Sequence, residues 1–361
     1  MPNKLCVALA AVFLWLPAAA EVKICGIQKD DLNFKQENNP YIITGDVILR
    51  KWTLWNINPG VVIKIANPPV CHHDSGFADT LFKRDLITIH VLGSFQCVGG
   101  SANRIVIEPL NPVSEGGVAW NGIVFDGTSK DYTKLFYANI SGARCAVRII
   151  NSSLVVRNCI LQKNQTAIFC DALCKSLIYN NDIVNNFSTG ILIRKASPSI
   201  QNNLIVGNLT GLWSDRTSAF TAEYNDFWDN KDGDFLNCPP SLGIKAKKNK
   251  RGDSCDKDFN IFFNPVFFGS AAHKDSIDRD FKLATDTAKA DVADKKLSRV
   301  IVQTVPDSIK KANLLNKPHV KWQLSPYSRL IDAGNPKSSF KDMDGTANDI
   351  GVLGGAEFSD N

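Results

Sequence analysis

The chain lacks any apolar stretch long enough to cross a bilayer, which takes roughly 20 residues. Its one conspicuous run, Leu5 to Leu16, falls short of that. Charge of one sign is also missing: 41 Lys and Arg against 36 Asp and Glu leave +5 over 361 residues. Spread this evenly, the balance gives no footprint for nucleic acid. Metal-ligand pairs are scarce. Cys71-His72-His73-Asp74 is the one dense cluster, and no second C-x-x-C or histidine pair completes a tetrahedral set around it. Amphipathic helical segments are absent through most of the chain. What remains is short β-rich runs separated by Asn, Gly and Ser, which read as strands joined by turns.

The first 20 residues have the form of an export signal. Lys4 supplies a positive start, Leu5 to Leu16 an apolar core, and Ala18-Ala19-Ala20 a small-residue cleavage site before Glu21. The mature protein is therefore expected to be exported, with no membrane span, to the periplasm, outer surface or exterior. Cys6 lies within the apolar run rather than at the cleavage site, which argues against a lipid anchor. Nine of the ten cysteines follow the signal. In an oxidising compartment, Cys170 with Cys174 and Cys238 with Cys255 are the expected disulfides. Cys71 is expected to pair with Cys25 or Cys97, and Cys159 to stay free.

A repeat sets the architecture. RNCILQKN, NNDIVNN, NNLIVGN and YNDFWDN overlay at a step of 22 residues between Arg157 and Asn230. One column reads Asn164, Asn186, Asn208, Asn230, and a second Cys159, Asn181, Asn203, Asn225. Such self-similarity means a stacked solenoid in which each unit buries its inner side against its neighbours. An inward asparagine can hydrogen-bond its copy one rung away, which satisfies amides otherwise costly to bury. Five N-x-S/T sequons start at Asn139, Asn151, Asn164, Asn186 and Asn208, and the inward ladder explains three of them.

The pattern formed by Ile200, Asn203, Ile205, Asn208, Gly211 and Leu212, with SPYSRLIDAGNP and DMDGTANDIGVLGG near the end, resembles a known family. It is similar to the bacterial exported right-handed parallel β-helix proteins of the pectin-lyase-like superfamily. The resemblance implies an all-β fold, a single-stranded right-handed parallel β-helix (a solenoid); an N-terminal cap precedes it, and residues 284–320 depart from the family pattern and read as a C-terminal insertion. The expected division is a signal peptide over 1–20, a cap over 21–45, the β-helix over 46–283, an insertion over 284–321 whose Ala, Lys and Leu content permits helix, and a closing segment over 322–361. Activity does not follow from it, because the superfamily holds lyases, hydrolases, epimerases and non-catalytic proteins.

Alternation along the strands marks the outward side chains. Phe169, Leu192 and Trp213 form one outward column, joined by Arg148; Asp171, Arg194 and Asp215 form a second, joined by Asp126. An aromatic beside carboxylates and a guanidinium suits a sugar chain, so Trp213, Phe169, Arg148 and Lys195 are candidate polysaccharide-binding residues. A basic loop with Lys245, Lys247, Lys248, Lys250 and Arg251 adds a patch for an acidic glycan. The alternative is a solvated, self-neutralising face.

Catalysis would fall to Arg194, Asp171 and Asp215. Two rungs separate the carboxylates, about 9–10 Å, at the upper edge of the roughly 6.5–9.5 Å of inverting glycosidases. Arg194 between them favours ionised carboxylates, whereas a general acid needs a raised pKa. A calcium-dependent lyase would instead use Arg194 or Lys195 as base, with Asp171, Asp182 and Asp215 about the metal. Missing, however, are the Arg-x-Pro-x-x-Arg stretch of pectate lyases and the Asn-Thr-Asp, Asp-Asp and Gly-His-Gly elements of polygalacturonases. Asp342, Asp344, Asn348 and Asp349 carry oxygen ligands around Gly345, so a structural Ca2+ is expected there if anywhere. The reading is thus a polysaccharide-binding protein without a recognisable catalytic motif, with a lyase of uronate-containing glycans as the alternative.

Overall fold

The computed structural model describes residues 21–71, 83, 85–267, 270, 271, 274–276, 279, 323–325, 327–342, 344–352 and 354. The Cys71-His72-His73-Asp74 cluster beyond its first residue and the expected insertion lie outside the described residues.

Each coil contributes three short strands. Val155–Arg157, Ile160–Gln162 and Thr166–Cys170 make one coil; Leu177–Tyr179, Asp182–Val184 and Thr189–Ile193 make the next. Strands of successive coils pair in parallel, with Val156 opposite Ile178 and Ile178 opposite Ile200. Stacking gives one eight-stranded sheet and one 16-stranded sheet. The larger sheet is two faces joined at one place, because the nine-residue strand Tyr41–Leu49 runs through a corner. Its first part pairs with Val62–Ile65 and its last part with Thr88–Val91. All these crossovers are parallel, and the coil is right-handed, as such connections are.

Two asparagine-bearing corners per coil make the turns sharp. At the first, Asn158, Asn180, Asn202 and Tyr224 have φ between 52° and 56°. At the second, Lys163, Asn185, Gly207 and Asp229 have φ between 52° and 67°. Asn and Gly reach this left-handed region at least cost. The next residue then points inward, which is why the sequence places asparagines side by side at 180–181 and 202–203.

The inward copies ladder as expected. Asn181 Nδ2 donates to Asn203 Oδ1 at 2.9 Å, to Val156 O at 3.0 Å and to Tyr179 O at 3.1 Å, and the Asn181 backbone N–H donates to Asn203 Oδ1 at 3.1 Å. Asn164, Asn186, Asn208 and Asn230 repeat the arrangement along the column at the second corner. Asn164, Asn186 and Asn208 are buried, so these sequons are sealed. The first column runs one rung further than the 22-residue step, onto Asn260, which Asp256 anchors at 3.0 Å.

At the N-terminal end the expected cap is itself part of the stack. Val22–Gln28 pairs in parallel with Tyr41–Leu49, and Leu32–Phe34 is the first strand of the eight-stranded sheet. Phe34, Tyr41 and Trp55 pack ring against ring to seal the core there. Cys25 is bonded to Cys71, one of the two expected alternatives.

The other two expected disulfides are absent. Cys170 and Cys174 are free thiols buried in the core and hydrogen-bonded to each other. They fill space as small apolar groups do. Cys238 and Cys255 belong to separate clusters: the first packs at the end of the solenoid core, the second beneath the closing segment. Cys159 is free and buried, as expected.

The closing segment lies along the side of the coil. Leu324, Leu330, Ala333, Ile350 and Val352 pack on Ile160, Val184, Leu204 and Val206, which point outward from the coil. The left-handed asparagines hold it. Asn158 Nδ2 donates to Val352 O and Gly354 O, Asn180 Nδ2 to Asn348 Oδ1 and Asp349 O, and Asn202 Oδ1 accepts from the Asn335 backbone at 2.7 Å.

Candidate functional site

The outward registers are those the alternation predicts. Arg148 stands opposite Phe169, Phe169 opposite Leu192, and Leu192 opposite Trp213. Asp126 stands opposite Ile150, in the column that continues to Asp171. Exposure differs from expectation. Arg148, Phe169 and Asp171 are buried, at 3%, 2% and 4% exposure, so they offer no surface to a ligand. Leu192, Trp213 and Asp215 are half-buried, and Arg194 and Lys195 are exposed.

Burial follows from a cross-rung clamp. Arg148 Nη2 donates to Asp171 Oδ2 at 2.6 Å; Arg194 donates to Oδ1 at 2.9 Å and to Oδ2 at 2.8 Å. Both guanidiniums also sit over the Phe169 ring, 5.1 and 5.0 Å from its centroid. Ring and carboxylate are thus enclosed between two arginines. Burial pushes the Asp171 carboxyl up, but hydrogen bonds from Arg194 and Arg148 outweigh it and hold it below its usual range.

Asp215 is committed to a turn. It accepts from Ser218 Oγ at 2.8 Å and from the backbone N–H groups of Lys195, Thr217 and Ser218. Slight burial acts upward, yet these donors bring its carboxyl down to about 2. Asp171 and Asp215 therefore stay ionised, and neither carries a proton for a leaving group.

The lyase grouping is not brought together. Asp182 faces a different side of the coil, buried beneath the closing segment, where its Oδ1 accepts from Val352 N at 2.9 Å. The four calcium candidates are engaged within the closing segment and with the coil. Asn348 spends its side chain joining Asn180 to Phe340 O. Asp344 accepts from Thr346 N and Oγ1, and Asp342 accepts from Asp349 N. Among the described residues no three His, Cys, Asp or Glu side chains are placed to hold a metal ion.

The basic loop forms a hairpin at the C-terminal end, with Lys247–Lys248 antiparallel to Ser254–Cys255. Lys247 Nζ lies 3.8 Å from the Phe259 ring centroid, and Arg251 donates to Ile331 O of the closing segment. Lys248 is exposed.

One concavity was not foreseen. A groove of about 890 Å³ follows the second asparagine corner, floored by Lys163, Asn185, Phe187, Leu209 and Lys231 and walled by residues 109–117. The wall comes from a loop outside the repeat, so periodicity carries no sign of it. No helix among the described residues is long and apolar enough to cross a membrane.

Fold and face together define a right-handed parallel β-helix repeat protein. The family model described as right handed beta helix region matches residues 118–274, which span the regular coils. Neither the curated proteins nor the solved structures gave a match.

Proposed function

We propose that this is an exported protein that binds a polysaccharide, acidic in character, on the outer face around Leu192, Arg194, Lys195 and Trp213. The β-helix fold supports a carbohydrate-active or carbohydrate-binding protein in general. One observation carries the finer reading: the Asp171 and Asp215 carboxylates are locked in hydrogen bonds as anions, while Trp213, Arg194 and Lys195 keep accessible surface. Such a face can stack a sugar ring and attract its carboxylates, and neither Asp171 nor Asp215 is poised to protonate a leaving group.

The test is retention on immobilised acidic and neutral polysaccharides, with product release followed in calcium and in chelator. Retention on an acidic matrix, reduced on the order of tenfold or more in Trp213→Ala and without product, is expected. Calcium-dependent unsaturated uronate that disappears in Arg194→Ala would establish a lyase instead. Retention that survives Trp213→Ala and is lost in Phe187→Ala would move the site to the corner groove.

A further inference from the structure

Trp52 is the least covered large hydrophobic side chain among the described residues, at 98% exposure, and its backbone sits at φ 70°. It occupies the third position of the four-residue turn Arg50-Lys51-Trp52-Thr53, closed by Thr53 N donating to Arg50 O at 3.2 Å. Lys51 has no positive φ, so this is a turn that takes glycine at its third position. A bulky residue there is strained, and strain of this kind persists where the surroundings enforce it. The surroundings do: Arg50 N donates to Gln28 O, Thr53 Oγ1 to Lys29 O, and Gly93 backs so closely that a Cβ there would meet Arg50 O at 2.2 Å.

The other aromatic residues at positive φ all pack. Arg104 covers the Tyr137 ring, and Tyr224 and Phe259 stack on each other at 4.9 Å. Trp52 alone among them is bare. Around it Lys29, Arg50 and Lys51 are exposed and make no ion pair among the described residues. With Trp52, Thr53 and Leu92 they line a concavity of about 420 Å³. Two acids lie close by: Asp31 accepts from Leu54 N, and Asp30 is exposed beside Lys29.

We infer that this turn docks the N-terminal end of the solenoid onto an anionic lipid surface, with Trp52 entering the headgroup layer and Lys29, Arg50 and Lys51 drawn to the lipid charge. Indole groups favour the membrane–water interface, and cations near an anionic leaflet each add attraction. A lipid surface fits better than a sugar because both indole faces are bare. A sugar platform packs one ring face on the protein and offers the other, which suits a half-buried ring such as Trp213. A fully projecting indole has no such backing and acts as a wedge.

The experiment is co-sedimentation of the purified chain with phosphatidylcholine vesicles, with and without a quarter of phosphatidylglycerol, at low and high salt. Parent and Trp52→Gly carry the same N-terminus, so any contribution of the Leu5 to Leu16 run cancels. Trp52→Gly suits the turn and keeps the fold, checked by an unchanged or raised melting midpoint. Salt-sensitive binding to the anionic vesicles, lost in Trp52→Gly and weakened about fivefold by each of Lys29→Ala, Arg50→Ala and Lys51→Ala, is expected. Equal binding by parent and Trp52→Gly would overturn the inference. So would no vesicle binding, or retention on an acidic polysaccharide that Trp52→Gly abolishes.

Discussion

At the scale of single residues, Asp171 decides what the outer face is for. Its two oxygens serve Arg148 and Arg194, and the Arg148 side chain is 4% exposed. Truncating one partner of a buried pair leaves the other uncompensated, at roughly 3–5 kcal/mol. Asp171→Asn should therefore lower the urea midpoint markedly, whereas Arg194→Ala, at the exposed side of the clamp, should cost far less. Equal small losses in both variants would mean that the clamp is ornamental to stability. Cys159 gives the opposite case. Its thiol donates to Leu135 O at 3.2 Å and Arg157 O at 3.3 Å and accepts from Ala138 N, as the asparagines below it do. Burial pushes this thiol up to about 11, which makes it unreactive. Cys159→Asn should complete the ladder and match or exceed the parent in stability by about 1 kcal/mol; a clear loss in denaturant titration would show that the site is too tight for an amide.

At the scale of elements, the parts written by the repeat were legible and the parts resting on distant contacts were not. Strand register follows from the 22-residue step, so the outward placement of Phe169, Leu192 and Trp213 was readable. Their exposure was not, because Phe169 is covered by Arg148 and Arg194 from neighbouring rungs. Alternation gives direction; it says nothing of what folds over the side chain. Asn260 escaped for a related reason: it joins the ladder 35 residues after Asn225, past the hairpin that interrupts the period. The closing segment meets Asn158 across 196 residues, a contact that no local pattern encodes. The same limit explains the cysteines. Short spacing made Cys170 and Cys174 look like a staple, yet both side chains point into the core beside a tightly packed turn.

At the scale of the whole molecule, the closing segment gives stability an unusual dependence on pH. Asp182 and Asp226 point outward from the coil but are buried, near or beneath the segment. Burial pushes Asp182 up to about 7, against the opposing pull of the Val352 N–H and Arg104. Burial also drives Asp226 well above its ordinary value despite the Phe263 N–H, and Asp234 adds to the rise. Asp349, in the segment itself, reaches about 7 through burial, with Asp342, Asp332 and Asp344 adding repulsion. In the unfolded chain all three ionise near 3.9. Between about pH 4 and pH 7 the folded state thus binds more protons than the unfolded, and stability must fall as pH rises. Asp171 and Asp215 act in the other direction. Held below the ordinary range, they stabilise above it, and that contribution is lost only as pH drops toward their folded values, about 2 for Asp215. The raised set pulls the optimum below the neutral range where stability usually peaks. At about 1.4 kcal/mol per unit of pKa difference, each of Asp182 and Asp349 should cost up to about 3 kcal/mol on going from pH 5 to pH 8. The urea midpoint should drop accordingly, and Asp182→Asn should remove part of the slope. Amide exchange at Gly351 and Val352, whose N–H groups bond Asn202 O and Asp182, should quicken more steeply across that range than exchange in the inner strands. A midpoint that stays level from pH 5 to pH 8 in parent and variant alike would show that these carboxyls do not govern the seating of the segment.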